Sequence, residues 1–427
     1  MNKHAIFGIF VWLKSIKKRK NMQTLWTKNY TTITIGTIIS AIGGVGLNFA
    51  LSVLIYNQTQ STMLSAIFSA TIMLPNLLLP LLVGPIIDKF SRKKIIVLSD
   101  LLMGVLFLLI AYATKDGYFN YTAYLVLGIV IASNGVVYHI AYESLFPELI
   151  PDKMMQKGYA VSSLIYPTVN TIMFPVAAVL FNRYGPAGIF LIEGILLIIA
   201  SLFEMQIQLQ EKHLNNLAIG AQSFKAMVSE GFSYLSKEKG LLSIFLFFFV
   251  FMMAGEGLNV LMYPFFENHP TLTVNHYAWA ISFITVGRLI GGLMHYVLKV
   301  ETNKRFMVAA IVYFSLNFLN AILLLVPYPL MLVVQVISGI LSINSFNIRM
   351  SSVQSYVPAE KRGRINGFYQ IMTATGMIIG RLFAGYVGEW FVYTNIIIFM
   401  SVIGLLAFFI FIYANKKHVS AVYNRVV

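Results

Sequence analysis

The sequence predicts an all-α membrane protein with twelve transmembrane helices in two six-helix bundles. Hydrophobic residues make up 58% and charged residues only 11% of its 427 residues, whereas a soluble globular chain carries about a quarter charged residues. The apolar segments are about 20 residues long, enough for a helix to cross the hydrocarbon core, and they lack the alternation of a β-barrel. A long polar connection near the middle divides them into two sets of six.

The predicted spans follow one another with short connections. They cover 31–56, 62–87, 95–113, 120–141, 159–182, 187–204, 240–266, 277–298, 306–326, 329–348, 365–388 and 394–413. The predicted domains are a basic N-terminal tail at 1–30, a six-helix bundle at 31–204, a central loop at 205–239, a second bundle at 240–413 and a C-terminal tail at 414–427. The first, second and seventh spans exceed the hydrocarbon thickness, and we expect them to tilt or extend beyond it.

Positive charge is concentrated on one side of this predicted topology. With the N-terminus in the cytoplasm, nearly all lysines and arginines of the connections and tails are cytoplasmic, whereas the outer loops carry only Lys115 and Arg183. This asymmetry predicts a multi-pass protein of the cytoplasmic membrane with both termini inside. It also explains the net charge of +15 without nucleic-acid binding.

Two connecting regions contain their own patterns. In the central loop, apolar residues from Phe224 to Leu235 recur at helical spacing, which predicts either an amphipathic helix on the inner membrane surface or a helix that covers the cytoplasmic ends of the bundles. The basic cluster from Lys14 to Lys20 follows an apolar run. That order differs from a signal peptide and favours a basic tail on the anionic leaflet. Met22 is an alternative start.

The chain contains none of the usual patterns of cofactor or metal chemistry. It has no cysteine, and its seven histidines show no H-E-x-x-H spacing, so thiolate sites are excluded and no metal site is expected. It also has no G-x-x-x-x-G-K-[ST] phosphate-binding loop. We therefore expect no cofactor, no metal and no ATPase. A membrane-embedded enzyme is the alternative from another class, but no convergent nucleophile or acid–base pair supports it.

The loop between spans two and three carries a compact motif. It contains Gly84, Asp88, Lys89, Arg92 and Lys93. The glycine permits close helix approach, the aspartate can accept from a neighbouring helix N-terminus, and the arginine can pair with an acid. The motif is either a latch at the cytoplasmic ends of the bundles or a basic turn that serves only topology.

The spacing G-x-x-x-D-[RK]-x-x-R-[RK] in this loop resembles the signature of the major facilitator superfamily. Asp100 in span three also resembles a recurrent acid of that family, and we include it in the predicted cytoplasmic gate. The turn from Phe146 to Pro151 is similar to that of its macrolide-efflux-like branch, and 357–364 resembles another common facilitator turn. Span four (128–135) departs from proton-driven exporters because it has no arginine, and the glycine-proline antiporter signature of span five is missing.

Ionisable residues within spans are costly in lipid and therefore point to sites. Glu256 in span seven and Arg288 in span eight fall at similar depth, so we expect an ion pair that is either a proton or substrate-cation site or a static bridge. Glu193 lies in span six, which is peripheral in the usual facilitator arrangement, so the resemblance favours a structural role over a coupling role for it. Arg381 lies beside a stripe of small residues from Gly376 to Gly388, which predicts close helix packing.

Other polar residues complete the predicted sites. Glu143, near the inner end of span four, is a predicted partner of Arg92 in the cytoplasmic gate. Asn48, Asn344 and Asn347 are candidates for the lining of a central cavity, although asparagine in a span equally often joins helices.

The resemblance implies the facilitator fold, in which two bundles rock about a central site. It implies a secondary transporter that exports amphipathic small molecules, drug-like or macrolide-like, with protons or another ion as the coupling partner. A lipid, siderophore or other metabolite transporter on the same fold is the alternative. The expected partners are a small-molecule substrate, the coupling ion and membrane lipid, and the protein is expected to be a monomer.

Overall fold

A computed structural model describes residues 24–425, except 81–82, 84–86, 88–89, 152–153, 210–232, 298–299 and 359–360. The described residues are helical with short connections. The helices are α1 (Lys28–Thr59), α2 (Thr62–Thr71), α3 (Leu74–Leu78), α4 (Arg92–Thr114), α5 (Tyr121–Leu149), α6 (Met155–Glu204), α7 (Lys239–Glu267), α8 (Val274–Val297), α9 (Arg305–Ile322), α10 (Tyr328–Tyr356), α11 (Arg362–Gly388), α12 (Tyr393–Ala407), which continues as a π-helix (Phe408–Tyr413), and α13 (Lys416–Tyr423).

Several helices begin at a polar side chain that caps a free backbone amide. Thr27, Ser61, Ser91 and Asn120 precede α1, α2, α4 and α5, and each accepts a hydrogen bond from the amide three residues later. Such caps satisfy amides that have no partner within the helix. They explain why these helices begin where the sequence turns from polar to apolar.

The longest helix contains a break that divides it into two crossing segments. Within α6, Gly185 has φ 65° and ψ −173°, a conformation that glycine adopts without steric penalty, and Pro186 follows it. Ten helices of the described chain are long and apolar enough to cross a membrane, and the shorter stretch Thr62–Leu78 is also apolar. With α6 counted as two segments, these elements are consistent with the twelve predicted spans.

The helices pack as an N-terminal group (α1–α6) and a C-terminal group (α7–α13). Between the groups, α2 packs on α11 and α6 packs on α8. One apolar cluster contains side chains of both groups, including Phe49 and Ala178 on one side and Leu261 and Ala384 on the other. The remaining clusters of the described residues each belong to one group. The shared cluster lies at the end of the molecule that contains Tyr56, which we call the tyrosine-rich end.

Some predicted boundaries change in the structure. Arg349, expected in a cytoplasmic connection, lies inside α10 with 7% of its surface exposed, because the helix continues eight residues past the predicted span. Part of the predicted C-terminal tail forms α13, where Tyr423 is fully buried and shares a hydrogen bond with Tyr313. The predicted loop helix and the basic N-terminal cluster lie outside the described residues, except that Leu235 is buried beside α7.

Candidate functional site

A cavity of about 720 Å³ lies between the two helix groups. Its walls combine aromatic and aliphatic side chains with polar side chains from several helices. The polar residues include Asn48, Ser52, Ser69, Asn170, Asn259, Thr285, Asn320, Gln335 and Ser338. Pockets that bind small molecules are concave and largely apolar, with a few polar groups that fix orientation. The cavity has this composition and is large enough for an organic molecule.

An ion pair stands in the wall of the cavity. Arg381 Nε donates to Glu256 Oε2 at 2.6 Å, and Glu256 is 3% exposed. Arg381 Nη1 also donates to the Ser69 carbonyl at 3.0 Å. Since Glu256 lies on α7, Arg381 on α11 and Ser69 on α2, this one guanidinium connects both helix groups.

The predicted partner of Glu256 was wrong. Arg288 lines the same cavity, but the carboxylate pairs with Arg381. The reason is packing: α11 lies directly against α7 along its glycine stripe, where a Cβ at Gly380 would overlap the backbone of Met253. This contact confirms the predicted close packing and brings Arg381 within reach of Glu256. Among the described residues, no hydrogen bond or ion pair joins Arg288 to another side chain.

A third arginine, Arg349, lines the cavity without having been predicted as a site residue. The Arg349 guanidinium lies 4.3 Å from the ring centre of Tyr369 and 4.7 Å from that of Phe248. Cation–π contacts of this length hold a guanidinium in an apolar wall. The aromatic partners come from α7 and α11, so their approach could not be read from spacing along α10.

The other predicted cavity residues divide into two sets. Asn48 lines the cavity and donates to the Gly44 carbonyl at 2.9 Å. Asn344 and Asn347 lie on α10 but do not belong to the lining, and the Asn344 amide bonds the Ile340 carbonyl at 2.8 Å. Glu193 is also away from the cavity, buried beside Gly43 of α1. The sequence did not single out Glu204, which is fully buried.

The cavity is closed at the tyrosine-rich end by hydrogen bonds between the groups. Tyr263 donates to Asn57 Oδ1 at 2.6 Å, and the Asn268 amide donates to the Tyr56 hydroxyl at 2.7 Å. Glu389 follows α11 and accepts hydrogen bonds from the first residues of α2. Its donors are the Ser61 hydroxyl at 2.7 Å, the Thr62 hydroxyl at 3.1 Å and the Met63 amide at 2.7 Å. These contacts, together with the shared apolar cluster, close this end.

The predicted gate lies at the opposite end, and only part of it can be described. Gly84, Asp88 and Lys89 lie outside the described residues. Lys93 lies in the first turn of α4, next to Arg92.

Two gate predictions need correction. Arg92 Nη1 binds Glu148 Oε1 at 2.9 Å rather than Glu143. The same nitrogen donates to the Ser144 carbonyl at 3.2 Å, so the guanidinium lies against the side of α5 that carries Glu148, whereas Glu143 is exposed. Asp100 does not take part in the contact of Arg92 with Glu148. It lies more than two turns into α4, buried, where it accepts a hydrogen bond from Ser40 at 2.9 Å.

The chain is similar to bacterial membrane transporters along most of its length. A family model described as a transmembrane secretion effector, of the major facilitator superfamily, matches residues 21–423. Macrolide efflux protein A of Streptococcus pyogenes is 22% identical over 395 residues, which cover 87% of this chain and 94% of that protein. Macrolide efflux protein A of Enterococcus faecalis is 26% identical over 224 residues, which cover 50% of this chain and 65% of that protein.

Solved transporter structures share the fold at low sequence identity. The nucleoside transporter NupG aligns with a TM-score of 0.70 at 15% identity, covering 91% of this chain and all of that one. A D-xylose-proton symporter aligns with a TM-score of 0.69 at 12% identity, covering 95% of this chain and all of that one. Because the family model spans nearly the whole sequence, the chain belongs to the transmembrane secretion effector family of the major facilitator superfamily and is a multi-pass membrane transporter rather than an enzyme.

Proposed function

We propose that this transporter exports amphipathic small molecules across the cytoplasmic membrane by alternating access, driven by a proton gradient. The cavity between the helix groups, closed at the tyrosine-rich end, is the observation that carries this proposal. With both termini in the cytoplasm, as the charge asymmetry predicts, the closed end faces outward. The molecule is then in its inward-facing state, ready to accept cargo from the cell.

Efflux of macrolide-like compounds is supported by two kinds of observation. The relatives named for macrolide efflux cover most of this chain. The cavity wall also contains many aromatic and methionine side chains, among them Phe49, Phe248, Met252 and Tyr277, and such surfaces adapt to apolar cargo of varied shape. In this proposal, the ion pair of Glu256 and Arg381 forms in one of the two transport states, inward-facing or outward-facing, and opens in the other, so that the charge of the cavity changes between them.

The experiment is an accumulation assay in a pump-deficient bacterium that expresses the full chain. We expect cells with the wild-type protein to hold less radiolabelled erythromycin than cells with an empty vector, and a protonophore to abolish the difference. The Glu256→Gln variant should lose export at equal membrane expression. Equal accumulation with and without the protein, across macrolides and lipophilic dyes, would contradict drug export.

A second candidate is a transporter of an acidic metabolite, lipid or siderophore. Arg288 and Arg349 add two positive charges to a cavity in which Arg381 already neutralises Glu256, and arginine is well suited to bind carboxylate and phosphate groups. The Arg288→Gln variant distinguishes the candidates. Loss of export for acidic compounds alone favours this second function, whereas unchanged export of basic macrolides in the variant favours the first.

A further inference from the structure

Three buried acids contact one face of α1, inside the N-terminal helix group and away from the cavity. The side chain of Glu204 packs on Gly36, Asp100 accepts from Ser40, and the Glu193 carboxyl fills the space beside Gly43. Positions 36, 40 and 43 lie on the same side of a helix and extend over about 10 Å at 1.5 Å per residue. We call Asp100, Glu193 and Glu204 the acid ladder.

Small residues of α1 make room for these carboxyl groups. A Cβ at Gly43 would overlap the carboxyl group of Glu193, and a Cβ at Gly36 would lie 3.1 Å from Glu204 Cγ. On the other side, α4 packs against the second half of α6, where a Cβ at Gly104 would lie 3.0 Å from the Gly194 carbonyl. The acids are therefore enclosed by helices.

The acid ladder is almost completely removed from solvent. Asp100 is 4% exposed, Glu193 is 3% exposed and Glu204 is 0% exposed. Tyr138 donates to Glu204 Oε1 at 2.8 Å, whereas Glu193 Oε2 and Glu204 Oε2 have no hydrogen-bond partner among the residues that the structure describes. A buried polar atom without a partner is costly, and the cost is much greater for an ionised carboxylate than for a neutral carboxyl group.

No basic side chain compensates these acids among the described residues. The groups that face them are the hydroxyls of Ser40 on α1, Tyr138 on α5 and Tyr166 on α6. The ion pairs of the described chain lie elsewhere. Asp100 also lies close enough to interact electrostatically with both glutamates. Neighbouring carboxyl groups in an apolar interior cannot all be ionised, and a proton is the smallest ligand that neutralises one.

We propose that the acid ladder is the proton-binding site of this transporter, with Glu193 and Glu204 protonated in the conformation described. Its role in coupling rests on the proposed proton-driven export, whereas proton binding itself does not. When a glutamate of the ladder releases its proton, the proton passes to water and the carboxylate that remains places a negative charge beside α1. The same helix lines the cavity through Asn48 and Ser52, so a movement of α1 connects the protonation state to the cargo site.

The first experiment measures protonation in the purified full chain, without any substrate. Infrared spectroscopy follows the C=O stretch of protonated carboxyl groups as the pH is raised, for the wild type, Glu193→Gln, Glu204→Gln and the control Glu301→Gln. Glu301 is exposed and pairs with Lys304. We expect each ladder variant to lose the intensity of one carboxyl group at neutral pH and the control to lose none. An unchanged spectrum in both ladder variants would overturn the proposal.

Folding provides an independent outcome of the same variants. Glutamine has nearly the shape of a protonated glutamate, so both variants should elute from a sizing column and melt like the wild type. A variant that fails to fold would show that its acid is needed in the ionised form, and this also overturns the proposal. A carboxyl band that responds to sodium at constant pH would identify a sodium site instead.

The second experiment tests coupling in proteoliposomes loaded with radiolabelled erythromycin. We expect Glu193→Gln and Glu204→Gln to retain exchange of labelled for unlabelled erythromycin at equal pH, but to lose accumulation driven by a pH gradient. Loss of gradient-driven transport with exchange intact supports a coupling role, and normal gradient-driven transport in both variants excludes it. If the wild type itself moves no erythromycin, the proposed function fails while the infrared measurement still decides proton binding.

Discussion

Arg381 Nε and Glu256 Oε2 form an ion pair of 2.6 Å in the cavity wall, between α11 and α7. The carboxylate is buried, with 4% of its side chain exposed, whereas the guanidinium retains 17%. Since Arg381 also bonds the Ser69 carbonyl of the other helix group, the pair connects the charge of the cavity to the contact between the groups.

Removal of Arg381 should destabilise the protein more than removal of the complete pair. Arg381→Gln leaves the Glu256 carboxylate buried without a cation, and breaking a buried pair costs about 3–5 kcal/mol. The double variant Glu256→Gln/Arg381→Gln leaves no charge, so most of the loss should be recovered. Thermal unfolding of the purified proteins in detergent measures this. Lys304→Gln, which breaks the exposed pair with Glu301, is the control and should change little. An Arg381→Gln variant that melts like the wild type would contradict the prediction.

Acidification at the tyrosine-rich end should open the contact made by Glu389. Burial tends to raise the pKa of the Glu389 carboxyl, but hydrogen bonds from the Met63 amide and the hydroxyls of Ser61 and Thr62 outweigh it and lower that pKa. A lowered pKa means that the ionised carboxylate stabilises the closed contact. This stabilisation is complete above the ordinary glutamate value of about 4.3 and is lost as the pH falls through the lowered value.

Spin labels can follow this opening because the chain has no cysteine of its own. Labels on Gln58→Cys and Trp390→Cys, both at exposed positions, report the distance across the closed end. We expect the long-distance population to grow at acidic pH, and Glu389→Gln to show it already at neutral pH. A distance distribution that ignores both pH and the variant would refute a role of the carboxylate.

A methyl group at Gly380 should disrupt the packing of α11 on α7. The new Cβ would overlap the Met253 backbone, which cannot move aside as a flexible side chain can, and overpacking costs about 1–3 kcal/mol or more. Gly292→Ala on α8 is the matched control, since no atom of the described chain lies within 4 Å of its added Cβ. The melting temperatures of the two variants should differ, with Gly380→Ala lower. Equal melting temperatures would contradict the prediction, because they would mean that α11 can move away from α7 at little cost.

At the other end, Glu148 rather than Glu143 should share the function of Arg92. The Arg92 to Glu148 distance is 2.9 Å, so Arg92→Ala and Glu148→Gln should reduce export to a similar extent, and the double variant should be little worse than either single one. Glu143→Gln tests specificity and should export normally. A strong defect in Glu143→Gln with none in Glu148→Gln would restore the partner expected from sequence.

Periodicity and charge predicted the elements well, for a simple physical reason. In lipid every backbone amide must be bonded within its own segment, so an apolar run of 20 residues becomes a helix whatever its neighbours are. The break at Gly185 with Pro186 likewise follows from local backbone chemistry. Such local rules are why the predicted division into spans agrees with α1, α7 and α11 to within a few residues. Helix ends were less predictable, and Arg349 lies inside α10 because its charge is held by aromatic rings of other helices.

The sequence by itself determined that this protein crosses the membrane many times, and its 2–3 loop motif indicated the superfamily to which the chain belongs. It did not determine which ionisable side chains meet. Similar depth suggested Glu256 with Arg288, yet the structure joins Glu256 to Arg381, and it places Asp100, Glu193 and Glu204 along one face of α1. Depth follows from position along a helix, but partnership depends on the rotation of each helix about its axis. That rotation is set by which small residues let two backbones approach, and only the packed tertiary structure decides it.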